Sequence, residues 1–578
     1  MFNKYYQDEL IYLRESGREF ADANPEAARF LAQPGADPDV ERMLEGFAFL
    51  AAKLRQKLDD ELPEFTHSFT EMFWPHYLRP VPATTTMQFS PLPVAGGEVK
   101  LVPRGTMSDS SPVDGTRCRF TTTMDVAMLP MEIKSVELRR EPPPRLSISF
   151  ELPGKQPLGA LRIPAIRLHF SGEPVVTRAL NLTLNRFVKR VIVRDASNAN
   201  RRFELGPESI RPVGYEDSQA VLGGPGASFS GFRILQEYFT CPHKFMHVDL
   251  SGMEALARFA ESKSFHIDIE LRRLPENMPP VSKANVLLNC APAVNLFKHD
   301  SDPIRVDVKR TEYALRPGGR DPAHCEIYSV DKVAGLVVGT SESREYLPQF
   351  KLPRSGKRGE LYYHVRRHPP VVGNSSQLML TLIEPEHERP NIENISVELT
   401  CTNGVLPSRL DSGDIKEKSP NSPLFAGYRN VGRPTPTVPA PLQGDLLWRL
   451  CAHLSLNYLS LVNLDALRTI VGLYNFRAGI DRQAEQAHMR LLEGIKEVKG
   501  VPAMRLFQGL PVRGIEVELT LDEDMLGGEG ELFLFGSVLD VFFAQYVSLN
   551  SYSRLSVKGS KLGEIYEWPA RIGFQAIL

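Results

Sequence analysis

Apolar and polar positions alternate with the period of a helix over the first eighty residues. Tyr6, Leu10, Leu13, Gly17 and Phe20 recur at intervals of four and three, which draws one apolar stripe along a helix. Asn24 and Pro25 then read as an N-cap followed by proline in the first turn. Asp37 and Pro38 repeat that signal and open a longer helix. On it Val40, Leu44, Phe47, Ala51, Leu54 and Leu58 share a face, widened by Met43 and Leu50, and Pro63 ends it.

After Pro80 the period falls to two. The segments TTTMQFS (84–90), RCRFTTT (117–123), RLSISFEL (145–152), AIRLHFSG (165–172) and SFHIDIEL (264–271) alternate between turns, as half-buried strands do. Leu222 to Gly226 reads as a loop. A second mixed stretch carries ANVLLNCAPAVNLF (284–297), EIYSVDKV (326–333), QLMLTLIE (377–384) and a turn at Asn403 and Gly404. Residues 431–444 are proline-rich and read as an extended connector, either a hinge or a strap fixed to the surface.

Helical spacing returns at Leu447, Leu450, Leu454, Tyr458 and Leu461, with further helices expected over 465–474 and 482–498. ELFLFGSVLDVFFAQYV (531–547) reads as a strand edge followed by a buried helix, between strands in GIEVELTLDE (514–523) and YSRLSVKG (552–559).

The expected fold class is therefore α+β and multidomain. A helical region (1–82) precedes a β-rich, sandwich- or barrel-like domain (83–280) and a second β-rich or mixed domain (281–430). The connector (431–444) then leads to a C-terminal helical and α+β region (445–578).

Composition narrows the function. The chain has 578 residues, 42% of them hydrophobic, enough for several packed cores. Its 68 basic and 70 acidic residues leave a net charge of −2, without the basic excess of a large nucleic-acid-binding face. The first twenty residues lack a signal peptide's apolar run, and no later run suits a membrane span. A soluble cytoplasmic protein without membrane insertion is expected. Six scattered cysteines, none in a CxxC pair, point to reduced, mostly buried thiols.

Catalytic and ligand motifs are sparse. The Gly356-Lys357 pair lacks both the upstream glycine and the following hydroxyl of a phosphate loop, and no GxSxG occurs. Cys241, His243 and His247 have metal-tolerant spacing, but no fourth ligand lies nearby in sequence, so a helix-to-strand passage is the simpler reading. Asp522, Glu523 and Asp524 hint at calcium, yet Leu526 and Phe533 fall where an EF-hand needs oxygen ligands. Arg186, Lys189, Arg190 and Arg194 read as the wet side of a strand. No catalytic residue, cofactor or metal ligand is assigned. A carbohydrate-active enzyme and a stand-alone β-sandwich binding module are the alternatives to an assembly protein.

Several blocks, taken together and in order, carry a resemblance. They are YYQDELIYLRESGREFA (5–21), DPDVERMLEGFAFLAAKLRQKLDDELPE (37–64), PHYLRP (75–80), RLHFSG (167–172) and GFRILQEYFTCPHKF (231–245). NCAPAVNLF (289–297), LTCTNGVLP (399–407), LLWRLCAHLSLNYLSL (446–461) and GGEGELFLFGSVLDVFFAQYVSLNSY (527–552) continue the series. The chain resembles the TssF family of type VI secretion baseplate proteins. The resemblance implies a non-enzymatic wedge component, with two TssF copies associating with one TssG. TssK would link the wedge to the membrane complex, TssE would stand at the sheath end, and the VgrG spike hub would be enclosed. Such wedges prime tail-sheath assembly beneath the inner membrane. On that reading the stripe of Tyr6, Leu10, Leu13 and Phe20 is the candidate protein-interaction surface.

Overall fold

The computed structural model describes residues 6–7, 9–13, 38–59, 67, 70–71, 75–92, 97–154, 156–223, 230–306, 310–340, 343–349, 360–368, 376–383, 393–442, 462–479, 481–507, 509–545, 547 and 551–573. The chain divides into two units, Met1–Leu78 with Pro441–Ser455, and Arg79–Ala440 with Leu456–Leu578. The helix expected over 447–461, Cys451, Gly224 to Gly226 and the Gly356-Lys357 pair lie outside the described residues, as do Asn24, Pro25, Asp37 and Pro63.

In the first unit, residues 6, 7 and 9–13 are helical and α1 spans Pro38–Asp59. Proline suits its first turn, where backbone N–H groups have no intrahelical partner. The face that α1 buries differs from the expected one. Ala48 and Ala52 are fully buried and Leu44 and Ala51 half-buried, while Phe47 is 61% exposed beside Met43 at 76% and Leu50 at 61%. Positions 43, 47 and 50 form a stripe about 130° round the helix from 44, 48 and 52. The small residues are covered and the bulky ones stay bare. A 3-10 turn, Pro75–Leu78, buries His76, Tyr77 and Leu78. The His67 ring meets the Leu442 carbonyl through Nε2 at 3.2 Å, joining the two stretches of this unit.

The second unit is α+β and β-rich, built on several sheets. All five period-two segments contain strands: Thr84–Pro91, Arg119–Thr122, Arg145–Glu151, Ala165–Phe170 and Ser264–Leu271. Cys290–Val294 pairs with both Thr84–Pro91 and Arg119–Thr122, so one sheet draws strands from both sides of position 280. Met87, Phe89, Cys118, Phe120 and Ile415 fill the core beneath it. A separate eight-stranded sheet, largely antiparallel, takes in Phe297–Asp300, Glu326–Val337 and Glu393–Thr402. The proline-rich stretch runs along strand Thr84–Pro91 of the other sheet. Val431 and Thr435 donate to the Thr86 and Thr84 carbonyls at 2.9 and 2.8 Å, and Val438 and Val81 exchange bonds at 2.9 and 2.7 Å.

Among the described residues the longer helices of this unit are α2 (Pro174–Arg186), α3 (Ser230–Thr240), α4 (Leu464–Leu473), α5 (Arg482–Gly494) and α6 (Glu529–Gln545). The Asn463 and Asp481 side chains cap α4 and α5 by accepting backbone N–H bonds from Asp465 and Gln483, each at 2.9 Å. The helix expected to reach 498 stops at Gly494, where Ile495 opens a long strand. The strand edge expected before α6 is also helical, starting at Glu529. α6 is the crossover between parallel strands Leu510–Leu521 and Ser551–Gly559. It packs against the second of these and against α2 and α3. Leu532 to Phe543 are consequently buried on every side, so the sequence shows a continuous apolar run rather than a stripe. Among the described residues no helix is long and apolar enough to cross a membrane.

Candidate assembly surfaces

The structure places Tyr6, Leu10 and Leu13 on one short helical stretch, each half-buried, with Ile11 and Tyr12 more exposed beside them. Phe20 lies outside the described residues. The second apolar surface of this unit is the bare stripe of α1, Met43, Phe47 and Leu50. Phe49 is also exposed, and the Lys53 ammonium sits 5.1 Å from its ring centroid.

Sequence reading missed the most exposed apolar group of the second unit. Strands Ile495–Phe507 and Leu510–Leu521 pair along their whole length as one ribbon. Only residues 513–521 gain a further neighbour, in Ser551–Gly559. Beyond that point the ribbon is two-stranded and carries Leu506 and Leu510, with Val501 and Met504 on the same edge strand opposite Glu516 and Arg513; the four stand 51–75% exposed. Two-stranded ribbons are marginal in water, and a large exposed apolar patch marks an interaction site. Strand Ile495–Phe507 is also an edge of its sheet, but Lys496, Lys499 and Pro502 discourage backbone pairing there. The ribbon therefore offers apolar side chains rather than a ladder of hydrogen bonds. The signal in the sequence was Gly509 between two apolar runs, and the structure holds it at φ +85°.

Many ionisable groups inside the second unit are tied to one another. On α6, buried Glu529 accepts from Arg273 at 2.6 Å and from the Tyr566 hydroxyl, and buried Glu531 pairs with Arg178 and Tyr238. Asp540 holds Arg571 at 2.6 Å, and burial pushes its carboxyl up to about 6. Arg190 and Arg194 reach Glu270 and Asp268, both at 2.7 Å, across neighbouring strands. Arg186 departs from the solvated reading. Its guanidinium lies 5.6–5.9 Å from the ring centroids of Phe533, Tyr566 and Trp568, and burial lowers its pKa. Asp522 caps the helical turn Glu523–Leu526, accepting from Asp524 and Met525 N–H groups at 3.2 Å.

Cys241, His243 and His247 occupy the helix-to-strand passage that the sequence suggested, between α3 and strand His247–Ser251. Cys241 Sγ is 3.3 Å from His243 Nε2, whereas the His247 ring lies against His169, centroids 4.3 Å apart. Among the described residues no group of three or more His, Cys, Asp or Glu is arranged to hold a metal ion.

Burial lowers His169 from 6.5 to about 3 and His247 well below 6.5, with Arg167 and His243 adding like charge nearby. Both rings are neutral in the folded protein but titrate near 6.5 when unfolded. Their contribution is complete above pH 6.5 and is lost as pH falls through the folded values, about 3 for His169. At pH 5 His169 alone costs about 2 kcal/mol relative to neutral pH, and His247 acts in the same direction. Urea midpoints measured from pH 7.5 to 5 should fall accordingly, and His169→Gln should reduce that slope by up to one proton.

A multi-sheet body with internally paired charges and bare apolar side chains on α1 and on a ribbon defines an assembly subunit. The chain belongs to the type VI secretion system TssF family, whose model matches residues 1–575. It is 30% identical to the type VI secretion system component TssF1 of Pseudomonas aeruginosa, over 99% of this chain and 98% of that protein. It is similar to a chain in a cryo-electron microscopy structure of a TssK-TssF-TssG baseplate subcomplex, with TM-score 0.77 and 30% identity over 93% of this chain and 99% of the other. A second structure, of a type VI baseplate complex, shares the fold at TM-score 0.65 and 24% identity, with both chains fully covered.

Proposed function

We propose that this chain is a baseplate subunit that assembles with TssG and TssK, and that α1 and the ribbon tip carry protein contacts. The bare α1 stripe is the observation that carries this reading. Met43, Phe47 and Leu50 would each gain about 1.5–3 kcal/mol on burial, and a folded monomer has no use for leaving them wet. In finer detail, two copies would share one TssG, with TssE and the VgrG hub as further neighbours. The wedge would prime sheath growth at the cytoplasmic face of the inner membrane. The stripe of Tyr6, Leu10, Leu13 and Phe20 would join α1 in a helical bundle with these partners.

The test is co-expression of the full chain with tagged TssG and TssK. Phe47→Asp with Leu50→Asp should cut recovery with TssG at least tenfold, as should Met504→Asp with Leu506→Asp. Leu10→Asp with Leu13→Asp tests the N-terminal stripe in the same way. Melting temperatures of the α1 and ribbon variants should stay within about 2 °C of the parent, because exposed positions contribute little to folding. Undiminished recovery of all three variants would defeat the proposal.

A further inference from the structure

A cleft of about 360 Å³ in the second unit is lined by Asp109, Gly115, Thr116, Arg117, Arg119, Phe297 and Arg320. Three guanidiniums thus share one lining carboxylate. Asp109 is spent on Arg119, which it holds by two bonds of 2.8 and 3.0 Å. The Arg119 backbone is fixed as well, its N–H donating to Asn403 Oδ1 at 3.0 Å and its carbonyl accepting from Asn295 Nδ2 at 2.8 Å. Among the described residues Arg117 and Arg320 have no ion-pair partner. Arg320 instead lies with its guanidinium carbon 5.5 Å from the Phe297 ring centroid. The turn that carries Gly115 is anchored from both sides. Thr116 Oγ1 is 2.9 Å from His324 Nδ1, and Asp114 is neutralised by Arg409. Two free cations are therefore held at one opening by parts already fixed in place.

We infer that this cleft receives a carboxylate from an acidic side chain of a partner polypeptide. Planar guanidiniums match a carboxylate with paired bonds, and the match is stronger where water is partly excluded. Among the described residues no helix begins at the lining residues, so no helix N-terminus is aimed into the cleft to hold a free phosphate. The aromatic floor at Phe297 suits the methylenes of an entering side chain. The inference rests on reading the chain as a subunit of a protein assembly, but it uses neither α1 nor the ribbon.

The experiment uses the full chain and ligand-observed NMR at low salt. The probe is an acetylated, amidated peptide carrying two adjacent glutamates, with its glutamine counterpart and inorganic phosphate as the other arms. Millimolar binding of the acidic peptide is expected, weakened at least tenfold by Arg117→Gln with Arg320→Gln and by raised salt. Arg117→Gln alone, at an exposed position, should weaken it without altering melting. Absence of acidic-peptide binding, equal binding of the glutamine peptide, indifference to both arginine variants, or tighter binding of phosphate would each overturn the inference. Normal recovery of TssG by the α1 and ribbon variants would instead count against the proposed contacts alone.

Discussion

Glu237→Ala should destabilise the second unit by about 3–5 kcal/mol, the usual cost of removing one partner from a buried ion pair. Glu237 and Lys244 are 0% and 1% exposed and bond directly to each other. The other carboxylate oxygen accepts the Val221 and Leu222 N–H groups at 2.7 and 2.8 Å. Alanine would leave an ammonium without its counter-charge and two backbone donors without an acceptor. The Lys244 ammonium has one other neighbour of note, the Phe245 ring at 4.9 Å, which cannot replace a carboxylate. The effect should appear as a lower urea midpoint at unchanged slope. Replacing both partners by apolar residues, Glu237→Leu with Lys244→Met, should recover much of the loss. A single variant as stable as the parent would show that the pair is not desolvated as described.

Gly530→Val should cost about 3 kcal/mol, at the upper end of what an overpacked contact costs. A Cβ at position 530 would lie 2.7 Å from the Arg178 carbonyl carbon, 2.8 Å from its oxygen and 3.0 Å from the Ala179 nitrogen. These are backbone atoms of α2, so the helix as a whole must retreat. Glu529 and Glu531 flank the glycine and would be drawn from Arg273 and Arg178. Even Gly530→Ala should be measurably destabilising. The contrast is Gly46 in the middle of α1, where nothing lies within 4 Å of the added carbon. Gly46→Ala should be neutral or stabilise by up to about 1 kcal/mol through helix propensity alone. Equal effects at the two glycines would refute the close approach of α6 to α2.

Alternation in the β-rich region was legible where a strand buries one face, as Arg145–Glu151 does residue by residue and Ser264–Leu271 does over its first half. The registers were not legible, since Cys290–Val294 pairs with strands more than 150 residues earlier. The passage from α3 into His247–Ser251 was also readable, because Pro242 breaks the helix locally. α6 was misread at its start because a helix covered on all sides loses its period.

The candidate surfaces divide in the same way. That α1 is a helix with abundant apolar residues follows from spacing and the proline at its start. Which stripe it covers does not, since Leu44, Phe47 and Ala51 look alike on a wheel. The structure covers the alanines and leaves Phe47 and Leu50 bare. The fate of Arg186 was likewise hidden, its rings coming from positions 533, 566 and 568.

By itself the sequence determined the local elements and the family, since period, caps and ordered motifs are properties of neighbouring residues. The tertiary structure alone decided which apolar faces are covered, which charges are paired and where two arginines are left free. Those outcomes depend on contacts between residues hundreds of positions apart, and no local pattern encodes the distance between them.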